Sequence, residues 1–518
     1  MDITRTMELA GRNLLNCLSP AMNFHPYWAM RMDTDYRAEM VFFGNIHNLG
    51  RWWDAMLRLE AATGFEIPAH LEAAMLANLR ESFDNPDHLC LPAFDHPWLK
   101  PEFDFHSLRE SLLALNALVR YRGSTWARGQ ARLMLETLAR ITRDDATWDV
   151  AALDYHRRLA QPERTVEPDV SNHGRLIEAL VWFYQATGEP LAYELAERYA
   201  GFHLAHTVSA DGRFPESSTA AHTHSYLGTL RGLWLWGMLT GQREYLQRVA
   251  DTYRVTVPKA VLESGFACHD LWKDDPNRGE VGSTSDATQL ALWIARDAGA
   301  TELLGDVERL VRARLVPAQV TASPPILAAD EDRAAQGADE FARLDERIIG
   351  AIGGMQFEPH AGKKHTTDVT AAALHCLTDV YGHIVEHTRA DVAVRLHFDW
   401  DDDRVQVRSV RSDPMEEDVA SVTVRPRVAT NVRIRVPRWA PRESLRLSVG
   451  GEPAPLRLVG DFVFVPSRGR APVELRYALP GRTSRERVGQ VEVEYHWRGD
   501  EIVGVTPQSA FYPMYPAA

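Results

Sequence analysis

The sequence has few of the features that mark secreted, membrane-bound or metal-knuckle proteins. It contains 4 cysteines in 518 residues. These are Cys17, Cys90, Cys268 and Cys376, and no two of them form a C-x-x-C pair. That spacing argues against a disulfide framework and a standard zinc knuckle. No window approaches the ~18 apolar residues of a membrane span, and no apolar segment follows the first charged residues. We therefore expect a cytoplasmic protein without membrane contact.

Basic residues are also fewer than acidic residues. The chain has 71 acidic and 57 basic residues, which gives a formal net charge of -14. A surface of this sign repels phosphate backbones, so we expect no nucleic-acid partner. Hydrophobic residues make up 45% of the chain, which is ordinary for a large globular core. The length allows two or three domains.

A repeated helical unit is what the sequence does contain. From about residue 105, an apolar helix ends at a glycine and a more charged amphipathic helix follows. Gly188, Gly241 and Gly299 end three of the apolar helices, at positions that need a left-handed C-cap. Helices that are apolar nearly all round are buried on both sides. The pattern predicts inner helices surrounded by outer helices, in an (α/α)6 barrel.

Beyond about residue 388 the hydrophobic period changes from helical to alternating. The segment Val432-Arg-Ile-Arg-Val436 is typical of a half-buried antiparallel strand, and similar segments follow at regular spacing. We therefore predict a protein that is mainly α plus β. Its (α/α)6-barrel catalytic domain would span residues 1–387, and a C-terminal antiparallel β-sandwich would span residues 388–518.

Histidines gather in the loops that precede the predicted inner helices. His173 lies in Ser171-Asn-His-Gly174, and His222 and His224 share one short segment further along. A helix cap or a loop hydrogen bond explains any one of them equally well. Together they indicate a polar, titratable pocket that binds sugar hydroxyls or shuttles protons.

Carboxylates supply a second group of candidates. Glu263, Asp270 and Glu280 lie in a loop that also carries Trp272, a candidate substrate contact. Glycoside hydrolysis needs one group that protonates the leaving oxygen and another that attacks or stabilises the anomeric centre, and carboxylates usually fill both roles. Glu280 is the strongest candidate because it lies beside the entry to a helix.

Cys376 is a candidate nucleophile. It follows the segment Thr370-Ala-Ala-Ala-Leu-His375, and we expect it to open a helix over residues 377–386. At a helix N-terminus the helix dipole stabilises a thiolate. A lone cysteine beside a histidine is more often a packing residue, however, and this alternative stays open. His375 is a candidate pocket residue on the same segment.

Several stretches after about residue 165 resemble, in their order and spacing, glycoside hydrolase family 127, the β-L-arabinofuranosidases. They are Asn172-His173, His224-Ser-Tyr-Leu-Gly-Thr-Leu-Arg-Gly232, Gly279-Glu280-Val-Gly-Ser-Thr-Ser-Asp286, Leu374-His-Cys-Leu-Thr378 and Arg435-Val-Pro-Arg-Trp-Ala440. The resemblance implies an (α/α)6 barrel, a β-sandwich, and retaining hydrolysis by a cysteine thiolate. In that family the thiolate lies beside zinc bound by a Glu-x-Cys motif and a Cys-Cys pair. Glu280 matches the zinc-binding glutamate, Cys376 the nucleophile, and His173 and His224 pocket histidines.

The chain departs from the family at two zinc ligands. Gly282 stands where the Glu-x-Cys motif has its cysteine, and Leu377 stands where the second cysteine of the pair would be. Glu280 and Cys376, even with His375, fall short of the four ligands of a closed zinc site. We therefore expect no zinc cofactor. Thiolate chemistry is harder without the cation, because a buried thiol then stays protonated.

Three interpretations follow. Cys376 attacks the anomeric carbon; or Glu280 is the nucleophile or base, with Glu263 or Asp270 as the acid; or the fold binds sugar without turnover. We predict a glycoside hydrolase, of the retaining type, that acts on a furanose-type or related small glycoside. A non-catalytic carbohydrate-binding protein is the alternative. The partner is then a carbohydrate or glycoconjugate, and the sequence leaves the oligomeric state open, a homodimer included.

Overall fold

The fold is described from a computed structural model. It covers residues 1–42, 45–91, 105–154, 164–214, 222–271, 279–356, 363–412, 418–467, 469–488, 491–509 and 513–518. Helices dominate this part of the chain up to Tyr381, and strands dominate it from Val385 onward. The sandwich therefore begins slightly ahead of the predicted boundary between residues 387 and 388.

Six helices form a closed inner ring in the described residues. They are α2 (Asn45–Thr63), α4 (Leu108–Arg122), α6 (Arg175–Thr187), α8 (Thr223–Thr240), α10 (Val281–Asp297) and α12 (Thr367–Tyr381). Each packs against the next, and α12 packs against α2 to close the ring. Six outer helices cover them: α1 (Ile3–Asn16), α3 (Ala69–Ser82), α5 (Thr125–Ile141), α7 (Pro190–His206), α9 (Arg243–Val255) and α11 (Leu304–Leu310). The predicted (α/α)6 barrel is confirmed.

Glycine caps end two of the inner helices as predicted, whereas Gly299 comes one residue after Ala298, the cap of α10. Gly188 follows α6 with a φ of 71°, and Gly241 follows α8 with a φ of 69°. Residues with a Cβ rarely adopt this left-handed backbone conformation, so a glycine stands where the chain turns toward the next outer helix. The helix between two such turns is almost fully buried, as α8 is from Thr223 to Gly237. Inner helices therefore form the core, and the outer helices have faces exposed to solvent.

Short helical segments connect the main elements. They are Pro20–Met22, Phe105–Ser107, Val150–Ala152, Val170–Gly174, Val257–Ala260, Thr301–Leu303, Val311–Leu315, Glu331–Ala335, Asp339–Phe341, Leu344–Ile348 and Arg442–Ser444. None of the described helices combines the length and the apolar character that crossing a bilayer requires.

A six-stranded sheet lies beside the barrel. Its strands, in spatial order, are Gly279–Glu280, Gly354–Gln356, Lys363–Thr366, Ala29–Met32, Arg37–Val41 and Leu327–Ala328. Two smaller pairs join Leu18–Ser19 with His25–Pro26, and Trp148–Asp149 with Thr165–Val166. The first strand of the large sheet leads directly into α10, and Lys363–Thr366 leads into α12. The sheet therefore sets where two of the inner helices begin.

The C-terminal region is a sandwich with an added hairpin sheet. One sheet contains Val385–His387, Asp391–Val394, Asn431–Arg435, Phe462–Val465 and Leu458–Val459. The second contains Trp400–Asp401, Val405–Arg411, Val419–Pro426, Val473–Ala478, Arg446–Val449 and Glu452–Pro453. The third contains Gly481–Val488, Val491–Arg498 and Glu501–Thr506. The pairing is antiparallel as predicted, apart from one parallel pair, Asp391–Val394 with Asn431–Arg435.

The C-terminal sheets dock on the barrel through buried contacts. Tyr495 and Trp497 of the third sheet pack with Phe266 in one hydrophobic cluster. Glu308 of α11 contacts Arg435 of the sandwich, and both side chains are buried. A charge pair taken out of water in this way needs its partner, so the two regions are held in one relative position.

Candidate functional site

The inner helices begin at one common end of the barrel. His47 near the start of α2 reaches Asp368 near the start of α12, with 3.3 Å between Nε2 and Oδ2. His222 immediately before α8 reaches Glu280 immediately before α10. Helix N-terminal ends carry partial positive charge and favour anionic groups. We call this end the mouth, and its mouth cluster consists of His47, His222, His269, Asp270, Glu280 and Asp368.

Glu280 is the central carboxylate of the mouth cluster. It ends a strand and is the N-cap residue of α10, which begins at Val281. Its Oε2 accepts a hydrogen bond from Nε2 of His222 at 2.9 Å. Burial alone would raise the pKa of Glu280, but the charge and the hydrogen bond of His222 lower it to about 2. Glu280 is therefore an ionised carboxylate.

A second carboxylate and imidazole pair adjoins the first. Oδ1 of Asp270 lies 3.0 Å from Nδ1 of His269, and the His269 ring centroid lies 4.5 Å from that of His222. The backbone supports this arrangement, because Asp270 pairs with His222 in an isolated β-bridge. The structure thus brings two predicted site residues, His222 and Glu280, into contact, and it pairs a third, Asp270, with His222 along the backbone.

His47 and Asp368 were missed in the sequence. Despite burial, the hydrogen bond and charge of His47 lower the pKa of Asp368. The charge of Asp368 in turn acts on Glu280, so the two carboxylates share the mouth. The His47 ring also stacks on His106, with 5.3 Å between centroids. The one available signal was a histidine at the start of an apolar helix, which by itself does not reveal that α2 adjoins α12.

Buried arginines and carboxylates fill the barrel below the mouth. This central network consists of Arg51, Arg109, Arg175, Arg231, Glu110, Glu178, Asp286 and Gln289, all buried. Oε2 of Glu178 accepts hydrogen bonds from Arg109 at 2.9 Å and from Arg231 at 3.0 Å. Arg109 also donates to Oε1 of Glu110 at 2.9 Å. Each charge therefore has partners, which burial requires.

A small cavity lies among these residues. Its lining is Arg51, Asp54, Arg109, Leu113, His224, Arg231, Asp286, Gln289, Ala371, Ala372 and His375. His224 contacts Asp286 through Nδ1, and Nδ1 of His375 lies 2.7 Å from Oδ2 of Asp54. Burial and the Arg51 charge hold the pKa of His224 well below its usual value. The predicted pocket residues His224 and His375 thus both line a cavity, each paired with an aspartate.

The structure corrects the predicted position of Cys376. The strand Lys363–Thr366 runs directly into α12, which therefore begins at Thr367 and contains Cys376 in its second half. At 1.5 Å per residue, Cys376 lies ~13 Å along the helix from its start. Burial and the charge of Asp379 raise the pKa of the thiol well above its usual value. The prediction of a thiolate at a helix N-terminus is therefore wrong.

Two further predicted site residues contact other parts of the protein. Oε1 of Glu263 lies 2.7 Å from Arg482 of the third C-terminal sheet, and the Glu263 side chain is 45% exposed. His173 is fully buried, and its ring stacks on Trp148 with 3.6 Å between centroids. Trp272 lies outside the described residues.

A zinc–thiolate site of the family 127 type does not fit these residues. Cys376 lies far down α12 from the mouth where Glu280 stands. Gly282 offers no ligand, and a Cβ built there would lie 2.8 Å from Oε1 of Glu280. The donors near Glu280 are instead imidazole nitrogens, since ligand atoms of His222, His269 and Glu280 all lie within 4.8 Å of one another. At this place the described residues offer nitrogen and oxygen donors.

Sequence comparisons give no relatives. No family model matches the chain, and no curated protein matches it.

Comparison of structures does give matches. A family 127 β-arabinofuranosidase superposes with a TM-score of 0.59 at 12% identity, over 96% of this chain and 81% of that chain. The family 127 β-L-arabinofuranosidase of Geobacillus stearothermophilus T6 gives 0.56 at 12% identity, over 88% and 76%. A sugar epimerase from a ruminal bacterium gives 0.50 at 11% identity, over 72% and 98%. The resemblance to family 127 is thus confirmed for the fold, and identities this low establish no shared activity.

Proposed function

We propose that this protein is a glycoside hydrolase acting on a small furanose-type or related glycoside. The mouth cluster is the observation that carries the proposal, because it gathers three carboxylates that are each paired with an imidazole. The pairs are Glu280 with His222 at 2.9 Å, Asp270 with His269 at 3.0 Å and Asp368 with His47 at 3.3 Å. Glycoside hydrolysis needs a carboxylate that stays ionised and a group that gives up a proton. The pairs supply both.

Glu280 takes the first role. Its pKa of about 2 keeps it ionised in neutral solution. A negative charge at this position stabilises the positive charge that develops at the anomeric carbon. Glu280 is only 5% exposed, so water screens this charge weakly.

The proton is handled by a second pair. Asp270 is the candidate from the sequence, and its side chain is 29% exposed, within reach of a substrate in the mouth. Asp368 is the candidate from the structure, and despite burial the hydrogen bond and charge of His47 lower its pKa, so it is the proton acceptor of the two. A retaining mechanism requires the same group to give a proton to the leaving oxygen and later to take one from water.

The cavity below the mouth has a volume of about 10 Å³, which is enough for a single water molecule and too small for a sugar ring. His224 and His375 present imidazole edges there, together with aspartate and arginine side chains. Sugar recognition therefore falls to the mouth above this cavity, where imidazole and carboxylate side chains donate hydrogen bonds to sugar hydroxyls and accept hydrogen bonds from them. Two solved structures with this fold are arabinofuranosidases by their titles, which supports a furanoside substrate.

A panel of aryl furanosides and pyranosides tests the proposal. The wild-type protein should hydrolyse at least one member, and Glu280→Gln should lower kcat/KM by about 1,000-fold or more at an unchanged Tm. Glu244→Gln is the matched control, because Glu244 is 60% exposed on α9 and pairs with Arg248 one turn along the helix. It should keep wild-type activity. A wild-type protein that binds sugars in calorimetry but hydrolyses none would establish the carbohydrate-binding alternative.

Leaving-group dependence identifies the proton donor. A variant without the donor loses most activity on substrates with poor leaving groups and little on those with acidic phenols, which need no protonation. Asp270→Asn and Asp368→Asn are compared across such a series. The variant whose kcat/KM depends more steeply on the leaving-group pKa identifies the donor pair. If both variants showed the same dependence as the wild type, neither residue would belong to the donor pair.

A further inference from the structure

Three side chains of the mouth cluster direct metal-binding atoms toward one point. One ligand atom from each of His222, His269 and Glu280 lies within 4.8 Å of the other two. Nε2 of His222 and Oε2 of Glu280 lie 2.9 Å apart. Two ligands on a tetrahedral zinc ion, with bonds of about 2.0–2.2 Å, lie ~3.3 Å apart. Small side-chain shifts would therefore complete three bonds to one cation.

An oxygen lies close to the Nδ1 nitrogen of each imidazole. Oδ1 of Asp270 lies 3.0 Å from Nδ1 of His269, and Oγ of Ser225 lies 3.1 Å from Nδ1 of His222. In the structure Nε2 of His222 donates to Glu280. A cation would displace that hydrogen, and an oxygen that accepts a hydrogen from Nδ1 would then leave the Nε2 lone pair for the metal. Histidines that bind metals have such partners almost without exception, because the partner fixes the tautomer and the ring orientation.

Backbone hydrogen bonds hold the ligand-bearing segments together. The N–H of Glu280 donates to the carbonyl of Ala267 at 3.0 Å, and the N–H of Thr223 donates to the carbonyl of His269 at 2.9 Å. The three ligands therefore sit on neighbouring segments whose positions do not depend on a cation. A site built on such supports loses little entropy when it binds.

We propose that His222, His269 and Glu280 form a binding site for a divalent cation of the zinc class. Two imidazole nitrogens and one carboxylate oxygen are a donor set that zinc accepts, whereas calcium and magnesium prefer oxygen ligands alone. Three protein ligands leave a fourth position for water or a sugar oxygen. The His222 side chain is 24% exposed, so the cation has a path from solvent.

This site goes beyond the proposed function and differs from the zinc–thiolate arrangement that the family resemblance implied. It shares Glu280 with that arrangement but replaces sulfur ligands by imidazoles. With the cation bound, Glu280 would act on a substrate through the cation rather than directly. Asp270 then becomes a positioning residue that orients His269.

Zinc titration of the full chain after dialysis against EDTA is the primary test. Calorimetry should show one zinc ion per chain with micromolar or tighter affinity, and no uptake of calcium or magnesium. His222→Ala and His269→Ala should each weaken zinc binding by about 100-fold or more, and Asp270→Asn by about 10- to 100-fold. His206→Ala is the matched control, because His206 is an exposed histidine at the end of α7. It should bind zinc like the wild type.

Cobalt distinguishes this site from a thiolate site. The cobalt-substituted protein should show visible ligand-field bands without the near-ultraviolet charge-transfer band of a cobalt–sulfur bond. Cys376→Ala should bind zinc as the wild type does. A sulfur charge-transfer band, or loss of zinc binding in Cys376→Ala, would overturn the proposal.

Further outcomes separate this site from the proposed function. Zinc bound in the expected ratio by a chain that hydrolyses no glycoside supports the cation site and defeats the proposed function. Hydrolysis that survives EDTA, in a chain that takes up no zinc, supports the proposed function and overturns the cation site. Wild-type zinc affinity in both His222→Ala and His269→Ala also overturns the cation site. Circular dichroism and Tm without zinc check that each variant is folded.

Discussion

The Nε2 atom of His222 lies 2.9 Å from the Oε2 atom of Glu280, and this contact joins the N-caps of two neighbouring inner helices. His222 is the N-cap residue of α8, and Glu280 is the N-cap residue of α10. Each side chain therefore lies where a helix presents unpaired N–H groups and partial positive charge. Chemistry-bearing residues concentrate at these caps because the ring of inner helices brings the caps together.

Gly282→Ala tests the space beside Glu280. A Cβ at this position would lie 2.8 Å from Oε1 of Glu280, so the carboxylate has to move. We expect kcat/KM to fall by about 10-fold or more, because displacement of a reacting group by a fraction of an ångström is costly. Gly305→Ala in α11 is the matched control, since nothing lies within 4 Å of its added Cβ. Equal activity in the two variants would contradict the prediction.

Cys376→Ala should leave hydrolysis within about 2-fold of the wild type, because a thiol with a strongly raised pKa contributes no thiolate. The loss of a buried sulfur should lower the free energy of unfolding by about 1–2 kcal/mol. Urea unfolding and kcat/KM are measured on the same preparation. Cys90→Ala provides a second buried cysteine for comparison. If activity fell in Cys376→Ala alone, the thiol would regain its place as a nucleophile.

Glu178→Gln should destabilise the barrel strongly. Its carboxylate accepts hydrogen bonds from Arg109 and Arg231, and all three side chains are buried. Loss of the charge leaves buried guanidinium groups poorly compensated, which costs about 3–5 kcal/mol. Glu136→Gln is the matched control, because Glu136 pairs with Arg132 on the surface at 46% exposure. It should cost about 0.5 kcal/mol or less. Urea unfolding measures both losses of unfolding free energy. Equal losses in the two variants would show that the central network is hydrated.

His397 makes the free energy of unfolding depend on pH. Burial lowers its pKa from the usual 6.5 to about 4. Between these values the unfolded chain binds a proton that folded His397 does not, so stability falls as pH falls from 6.5 toward 4. The neutral ring is held between Tyr477, at 2.6 Å, and the carbonyl of Arg435, at 2.8 Å.

His397→Gln removes this dependence. In the wild type this histidine contributes up to ~1.4 kcal/mol per pH unit to the slope of unfolding free energy between pH 6.5 and pH 4.5. The variant should lack this contribution. His206→Gln, at an exposed position, should keep the wild-type difference. Urea unfolding at several pH values measures both. An unchanged slope in His397→Gln would show that this imidazole takes up its proton equally in the folded and unfolded chains.

Gly188 and Gly241 show why the barrel could be predicted from the sequence. Each must adopt a left-handed φ, of 71° and 69°, whatever packs around it. The apolar stretches before them form helices for equally local reasons. The alternation in Val432-Arg-Ile-Arg-Val436 likewise predicted the strand Asn431–Arg435. Such features depend on a few neighbours along the chain, so they can be recognised without knowing the fold.

Cys376 shows where local reasoning stopped. Helix propensity does not determine the first residue of a long alanine-rich helix. The strand Lys363–Thr366 determines it here, because α12 begins at Thr367, directly after the strand. Burial of the thiol follows from that choice. The position of Glu280 beside a helix entry was predicted correctly, and His222 was a candidate, but the contact between the two could not be predicted from the sequence.

The sequence by itself determined the helical repeat from about residue 105, its glycine turns, the C-terminal strands and the supply of histidines and carboxylates. These follow from propensity and hydrophobic period, which act over a few residues. Only the tertiary structure decided which imidazole meets which carboxylate. His47 and Asp368 lie at opposite ends of the barrel sequence, and they come within 3.3 Å because α12 packs against α2 and closes the ring. Contacts between side chains on opposite sides of the ring closure depend on the distances between helices. A pattern of neighbouring residues in the sequence carries no information about those distances.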